Sequence, residues 1–190
     1  MTGVTTFSTE LAAKRLELLA EIAPGIRRVG LLHNMGNPAA AAEWRETQAA
    51  ARARGMEAAL LDVRSPAAVA RIFDSAVKQH VDALIIGADG VAQSSLEVIV
   101  GLAARNRLPA IYPAREFVEA GGLMAYAVNY PDLYFGLARY VDKIMKGSAP
   151  ADLPVERPTK FELVLNLRAS TALGLAAPNS LLLRADEIIK

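Results

Sequence analysis

The sequence has no cysteine and only two histidines, His33 and His80, among its 190 residues. The absence of cysteine excludes disulfides, thiolate chemistry and cysteine-ligated metal ions. Two histidines are too few for a histidine-rich metal site. No apolar run approaches the roughly 18 residues that a membrane span requires. We therefore expect no metal centre, no resident cofactor and no insertion into a membrane.

Neither sign of charge dominates, because 21 lysines and arginines are matched by 20 aspartates and glutamates, for a net charge of +1. Without a basic excess there is no electrostatic reason to expect a nucleic-acid partner or a polybasic membrane contact. Hydrophobic residues make up 53% and charged residues 22% of the chain, which is typical of a folded globular protein. At about 150 residues per domain, the length predicts one well-buried core rather than two full lobes.

Short apolar runs alternate with segments of helical periodicity along the first two thirds of the chain. The runs predict strands at 28–33, 57–63, 82–87, 108–112 and 123–127. Strands that are separated by helices favour right-handed βαβ crossovers. We therefore predict an α/β fold with a doubly wound parallel sheet in three αβα layers.

The last third of the chain departs from this alternation. A strong helix is predicted over 131–146, with an apolar face formed by Leu133, Leu137, Tyr140, Val141 and Ile144. The period of two over 161–167 predicts a half-exposed or edge strand. Short helical pieces are predicted near 169–173 and 181–189. We therefore expect an extra C-terminal helix and an edge strand beside the main sheet.

The carboxyl ends of the predicted strands are polar and aromatic, and ligands bind at this edge of a doubly wound sheet. The candidate binding residues there are Asn34, Asp89, Tyr112, Tyr126 and Asn129. Each also has a structural explanation, since turns after strands generally carry polar residues. Asp89 could equally cap the helix that follows it, and the tyrosines could pack at the rim.

Motifs that mark catalysis or nucleotide binding are missing from the sequence. There is no G-x-G-x-x-G or G-x-x-x-x-G-K-[ST] phosphate-binding pattern, and no G-x-S-x-G elbow or H-E-x-x-H helix. This favours a binding protein without catalytic residues over an enzyme. Two alternatives stay open: the effector-sensing domain of a transcription regulator, and a small flavodoxin-like enzyme.

Several longer runs of residues point to one family. These runs lie at 12–19, 107–112, 115–124, 140–144 with 146–147, 151–156 and 158–164. Together they closely resemble the bacterial ABC-transporter substrate-binding proteins of the ABC_sub_bind family. The resemblance covers essentially the whole chain, and the runs are long enough to be specific.

The resemblance implies a type I periplasmic-binding-protein fold, in which two doubly wound lobes close on a small molecule. It also implies import through an ABC transporter permease, a periplasmic location, and aromatic amino acids such as tryptophan and phenylalanine as ligands. Residues 1–8 lack the layout of a signal peptide. The start of the chain resembles the family's crossover into the second lobe. The resemblance therefore implies that 1–128 form one ligand-binding lobe, 129–150 a crossover helix that would pack on a missing N-terminal lobe, and 151–190 a returning edge strand with C-terminal helices.

On this interpretation Asp89 would bind the ammonium group of the ligand. Tyr112 and Tyr126 would stack on or cover its side chain, and Asn129 would hydrogen-bond across the cleft. The apolar face of the 131–146 helix would lack its usual cover, although burying each large apolar side chain is worth about 1.5–3 kcal/mol. We therefore expect a homodimer, and weak or no ligand binding by one lobe alone.

Overall fold

The computed structural model describes residues 2–4, 11–158 and 160–190. The strands in these ranges are β1 (Gly3–Val4), β2 (Arg28–His33), β3 (Glu57–Asp62), β4 (Ala83–Ile86), β5 (Ala110–Tyr112), β6 (Met124–Val128), β7 (Val155–Glu156), β8 (Phe161–Asn166) and β9 (Glu187–Ile189). The α-helices are α1 (Ala12–Ile22), α2 (Ala40–Ala53), α3 (Val69–Lys78), α4 (Gly90–Ser94), α5 (Leu96–Arg105), α6 (Arg115–Glu119), α7 (Tyr130–Met145), α8 (Leu167–Ala172) and α9 (Asn179–Arg184).

The main sheet has seven strands in the order β3-β2-β4-β5-β6-β8-β9. The strands from β2 to β6 run parallel to one another, as the alternation of strands and helices predicts. Helices cover both faces, with α1, α2 and α9 over one hydrophobic cluster that includes Leu19 and Leu31. The helices α3, α5 and α6 cover the other cluster, which includes Phe73 and Phe117. The predicted doubly wound, three-layer α/β fold is confirmed.

The strand predicted over 161–167 is not an edge strand. Here β8 pairs antiparallel with β6 on one side and parallel with β9 on the other. The helix predicted over 181–189 is wrong in its second half, since α9 ends at Arg184 and β9 forms the edge of the sheet. A strand as short as β9 leaves little pattern in the sequence, because its stability comes from pairing with β8 rather than from local propensity.

Polar residues on β8 explain why the sequence pattern predicted an edge strand there. Glu162 and Asn166 alternate with apolar residues, which is the pattern of a half-exposed strand, yet both are buried. Asn166 donates from Nδ2 to the carbonyl oxygen of Val118 at 3.3 Å and accepts from the Ala169 N–H at 3.0 Å. Glu162 accepts a hydrogen bond from Asn129 at 3.2 Å. These internal partners allow polar side chains to be buried in the sheet.

A separate two-stranded sheet, in which β1 pairs in parallel with β7, packs against α7. The Tyr140 hydroxyl of α7 donates to the carbonyl oxygen of Pro154 at 2.6 Å. Tyr140 is therefore only 4% exposed, whereas Val141 is 59% and Ile144 is 37% exposed. The apolar face that was expected to lack cover is thus covered at Tyr140 and open toward the C-terminal end of the helix.

A buried ionic network joins α1 and α2 to the sheet. The side chains of Arg15 and Glu43 are each 1% exposed, and Arg15 Nη1 lies 3.1 Å from Glu43 Oε1. Arg15 Nε donates to the carbonyl oxygen of Tyr126 at 3.0 Å. His33 Nε2 lies 3.2 Å from the other carboxylate oxygen of Glu43, without the alignment of a hydrogen bond. Burial lowers the pKa of Arg15 and the Glu43 carboxylate opposes that shift, so each charge depends on the other.

Replacing Glu43 by glutamine should destabilise the fold by about 3–5 kcal/mol, because it leaves the Arg15 guanidinium buried without a counter-charge. Urea unfolding followed by circular dichroism measures the free energy. Glu46→Gln, at an exposed position of the same helix, is the matched control and should change stability by less than about 0.5 kcal/mol. If the two variants were equally stable, the network would not be holding the helices on the sheet.

Candidate functional site

A cavity of about 620 Å³ opens at the carboxyl ends of β2, β4 and β5, beside the N-terminus of α7. This is the edge at which doubly wound sheets bind ligands. The polar part of its lining consists of Asn37, Asp89, Gln93, Glu116, Tyr130 and Tyr134. The lining thus combines two carboxylates, two amides and two phenols, and none of its described residues is a lysine, arginine or histidine.

Asp89 follows β4 and is the one predicted site residue that lines this cavity. Its Oδ1 accepts from the Val91 N–H at 2.7 Å, which caps α4, and its Oδ2 accepts from Asn37 Nδ2 at 2.9 Å. Desolvation by burial acts to raise the pKa of Asp89, but the hydrogen bonds from Asn37, Val91 and Asn34 outweigh it and hold the pKa below its usual value. Asp89 is therefore ionised at neutral pH, and it caps a helix while presenting a negative charge to the cavity.

The turn after β2 is held together by its own asparagines. Asn34 Oδ1 accepts from the Gly36 N–H at 2.9 Å, and Asn37 Oδ1 accepts from the Ala39 N–H at 2.9 Å. The Asn34 side chain also hydrogen-bonds Asp89 and lowers its pKa. The sequence analysis named Asn34 as the binding residue of this turn, whereas the structure places Asn37 on the cavity wall and Asn34 outside the lining.

Two tyrosines that the sequence analysis missed line the cavity from α7. Tyr130 and Tyr134 are four residues apart, so their rings lie on the same face of the helix. Burial raises the pKa of Tyr130, so its phenol is a hydrogen-bond donor at neutral pH. The signal in the sequence that could have indicated Tyr130 is its position, because it directly follows Asn129 at the end of β6. The helix begins one residue earlier than predicted, and this brings Tyr130 to the edge of the sheet.

Tyr112 lies outside this cavity. Side chains alternate between the two faces along a strand, and Tyr112 belongs to the cluster under α5 and α6. It is 1% exposed, and its ring stacks on that of Phe117 with centroids 5.2 Å apart. Burial raises its pKa above the usual value. The structure therefore places Tyr112 in the core, where it lines a different cavity.

Tyr126 and Asn129 lie on β6 and just after it, outside the cavity lining. The Tyr126 ring stacks on Phe161 with centroids 6.0 Å apart. Asn129 Oδ1 accepts from the Asp132 N–H at 2.9 Å and caps α7, while its Nδ2 donates to Glu162 at 3.2 Å. Both polar atoms of Asn129 are therefore engaged within the chain, and its hydrogen bond across the cleft stays a prediction.

The cavity lining combines negatively charged and aromatic side chains. Across 2–4, 11–158 and 160–190, no group of three or more histidine, aspartate or glutamate side chains could hold a metal ion. No described helix is long and apolar enough to cross a membrane. Carboxylates and phenols on one wall suit a ligand that carries a positive charge and an aromatic or apolar group.

A doubly wound α/β fold with a polar cavity at its strand ends is typical of small-molecule-binding proteins. The chain belongs to the family described as ABC transporter substrate binding protein, whose family model matches residues 1–189. This match confirms the resemblance that the sequence runs indicated.

One curated protein and two solved structures are similar to this chain at 22–24% sequence identity. The tyrosine-binding protein of Clostridioides difficile (strain R20291) is 22% identical over 180 residues, which are 93% of this chain and 52% of that protein. The crystal structure of a conserved domain protein from Vibrio cholerae O1 biovar El Tor str. N16961 has a TM-score of 0.90 at 24% identity, covering 98% of this chain and 62% of that one. An ABC domain from Streptococcus pneumoniae in complex with L-Trp has a TM-score of 0.87 at 23% identity, covering 99% of this chain and 64% of that one.

The likeness to these structures establishes the fold. The chain spans about half the length of the curated relative and less than two thirds of each of the two solved structures.

Replacing Asp89 by asparagine should lower stability by about 0.5–1 kcal/mol at pH 7, the usual worth of a charge at a helix N-terminus. The folded chain holds the Asp89 pKa below its ordinary value of about 3.9, so the carboxylate stabilises the fold above that pH. The contribution is lost as the pH falls through the lowered pKa. Urea unfolding should therefore show the same difference at pH 7 and pH 5 and a smaller one at pH 3.

Asparagine keeps an oxygen that can cap α4, so this comparison isolates the charge of Asp89. A difference in unfolding free energy that did not change with pH would contradict the lowered pKa.

Proposed function

We propose that this chain is one ligand-binding lobe of a solute-binding protein in an ABC import system, and that it binds an amino acid with an aromatic side chain. The observation that carries the proposal is the presence of Asp89, Tyr130 and Tyr134 on one cavity. An ionised carboxylate suits an ammonium group, and phenol rings suit an aromatic side chain.

The ammonium group would bind at Asp89. Hydrogen bonds from Asn37 and from the Val91 backbone keep this carboxylate ionised and fix its position. A carboxylate has about four lone-pair sites, so capacity is left for a ligand. Glu116 adds a second carboxylate to the same lining. With no cation among the described lining residues, the amino acid's own carboxylate would be bound by the opposing lobe.

The aromatic side chain would lie against Tyr130 and Tyr134. Tyr130 is half-buried, while Tyr134 is 67% exposed, so one side of the cavity is open. In a two-lobed receptor, hinge closure would cover such an open side. The curated relative is named for tyrosine and the Streptococcus structure holds L-Trp, which supports the aromatic class of ligand.

The proposal includes delivery to an ABC permease in the periplasm, without catalysis. Membership of a family of substrate-binding proteins supports it. Because the chain spans 52% of the curated relative, the second lobe of the two-lobed receptor would come from sequence outside this chain.

L-Tryptophan, L-tyrosine and L-phenylalanine should bind this chain weakly, with dissociation constants of about a millimolar, since one lobe supplies only part of the contacts. Nuclear magnetic resonance titration of ¹⁵N-labelled chain should show saturable shifts of the Asp89, Gly90 and Tyr130 amides. L-Alanine should bind more weakly than any of the three. A submicromolar dissociation constant would contradict the one-lobe proposal, and equal binding of L-alanine would contradict the aromatic preference.

Asp89→Asn should weaken the binding of L-tryptophan about tenfold, the usual worth of a hydrogen bond to a charged group. Asp74→Asn, at an exposed position of α3, is the matched control and should bind as the wild type does. If Asp89→Asn bound L-tryptophan as well as the control, the ammonium site would lie elsewhere.

We also propose that this chain forms a homodimer through α7 and β7. Large apolar side chains are exposed there: Phe135 is 76%, Val141 59%, Met145 82% and Val155 59% exposed. Exposed apolar surface of this kind favours association, and a two-fold interface lets the same surface pair with itself.

Size-exclusion chromatography with light scattering at micromolar concentration should give twice the mass of one chain. Val141→Lys combined with Met145→Lys should give the mass of a single chain, because burying two charged side chains opposes association. Leu183→Lys, at a position of α9 that is 87% exposed, is the control and should remain dimeric. A monomeric wild-type chain would refute the dimer.

A further inference from the structure

A second cavity, of about 420 Å³, lies at the opposite end of the sheet, where β5 and β6 begin. It is bounded by α5, α6 and α8, and it shares no lining residue with the first cavity. Its wall is mainly apolar and includes Val100, Leu108, Leu123 and Leu173. The volume falls in the range of roughly 300–1,000 Å³ that small-molecule sites occupy.

Tyr112 is a buried polar side chain on this wall. It is 1% exposed and makes no hydrogen bond with the described residues, yet its hydroxyl is not sealed from solvent. Gly122 makes room for the ring, since a Cβ there would lie 2.5 Å from Tyr112 Cε2 and 2.7 Å from the carbonyl oxygen of Phe117. A phenol hydroxyl that has no partner in the chain keeps its hydrogen available to a ligand. The phenol can therefore donate to a ligand in the cavity.

Arg168 supplies a cation to the same lining. Its side chain is exposed, and it forms no ion pair with any residue in the described part of the chain. The other charged group of the lining, Glu119, is paired with Arg115, whose Nε lies 3.0 Å from it and whose guanidinium is shared with Glu162 and Glu187. Both polar atoms of Asn166 are also engaged. The polar groups left for a ligand are thus one phenol donor and one guanidinium.

We infer that this cavity is a second small-molecule site, which binds an arylalkanoate that carries a hydroxyl group. The carboxylate would pair with Arg168 at the mouth, and the aromatic body would fill the apolar interior. The hydroxyl oxygen would accept a hydrogen bond from Tyr112. Such a ligand has no ammonium group, which distinguishes it from the amino acids proposed for the first cavity.

Matched ligands test each contact separately on the full chain. Calorimetric titration should show saturable binding of 3-(4-hydroxyphenyl)propionate. Binding should be weaker for 3-phenylpropionate, which lacks the hydroxyl, and for 3-(4-hydroxyphenyl)propionamide, which lacks the charge. Arg168→Gln should weaken binding of the acid about two- to fivefold and remove the preference for acid over amide. Tyr112→Phe should remove the preference for the hydroxylated acid.

Two further variants locate the site. Ala172→Trp, at an exposed lining position of α8, should abolish binding by filling the mouth, whereas the exposed control Arg71→Gln should leave it unchanged. Asp89→Asn, in the first cavity, should not affect it either. Absence of saturable binding, equal binding of acid and amide, or loss of binding in Asp89→Asn would each overturn the inference. If Tyr112→Phe failed to fold, Arg168→Gln and Ala172→Trp, both at exposed positions, would still decide it.

Discussion

The buried pairing of Arg15 with Glu43 is the constraint on which the edge of the sheet that carries the first cavity depends. Neither charge could remain in the interior alone, so α1 and α2 must lie where the 3.1 Å contact can form. The same guanidinium holds the carbonyl oxygen of Tyr126 on β6, and the same carboxylate lies beside His33 at the end of β2. The network thus sets the positions of two strands that flank the cavity, and Arg15 also lies close enough to Tyr130 to affect its pKa.

The residues at the cavity have structural roles beside the binding role proposed for them. Asp89 caps α4 and lines the cavity, so the two explanations that its position allowed are compatible. The hydrogen bonds that keep Asp89 ionised come from the turn after β2 and from the first turn of α4. A carboxylate positioned by a side-chain amide and a backbone N–H needs little rearrangement to bind a cation. This preorganisation is the physical basis of the proposed ammonium site.

The sheet has a different chemistry at each end. At the carboxyl ends of the strands the lining is acidic and hydrogen-bonded, whereas the cavity at the opposite end is mainly apolar and has Tyr112, Glu119, Asn166 and Arg168 as its polar lining residues. The side chains of β5 alternate between the two faces of the sheet, and this alternation directs Tyr112 away from the first cavity. The Tyr112 side chain therefore packs in the hydrophobic cluster under α6, where Gly122 leaves space for its ring.

The sequence by itself determined the alternation of strands and helices, the parallel strands β2 to β6 and the place of Asp89 at the carboxyl end of β4, since these depend on local periodicity and on where strands end. Only the tertiary structure decided which side chains meet. Contacts between distant segments pair β9 with β8 and direct the Tyr112 side chain into the core. Such contacts also place Tyr130 and Tyr134 of α7 on the first cavity. Local patterns do not encode such contacts, and a buried polar residue such as Glu162 looks solvent-facing until its partners are in place.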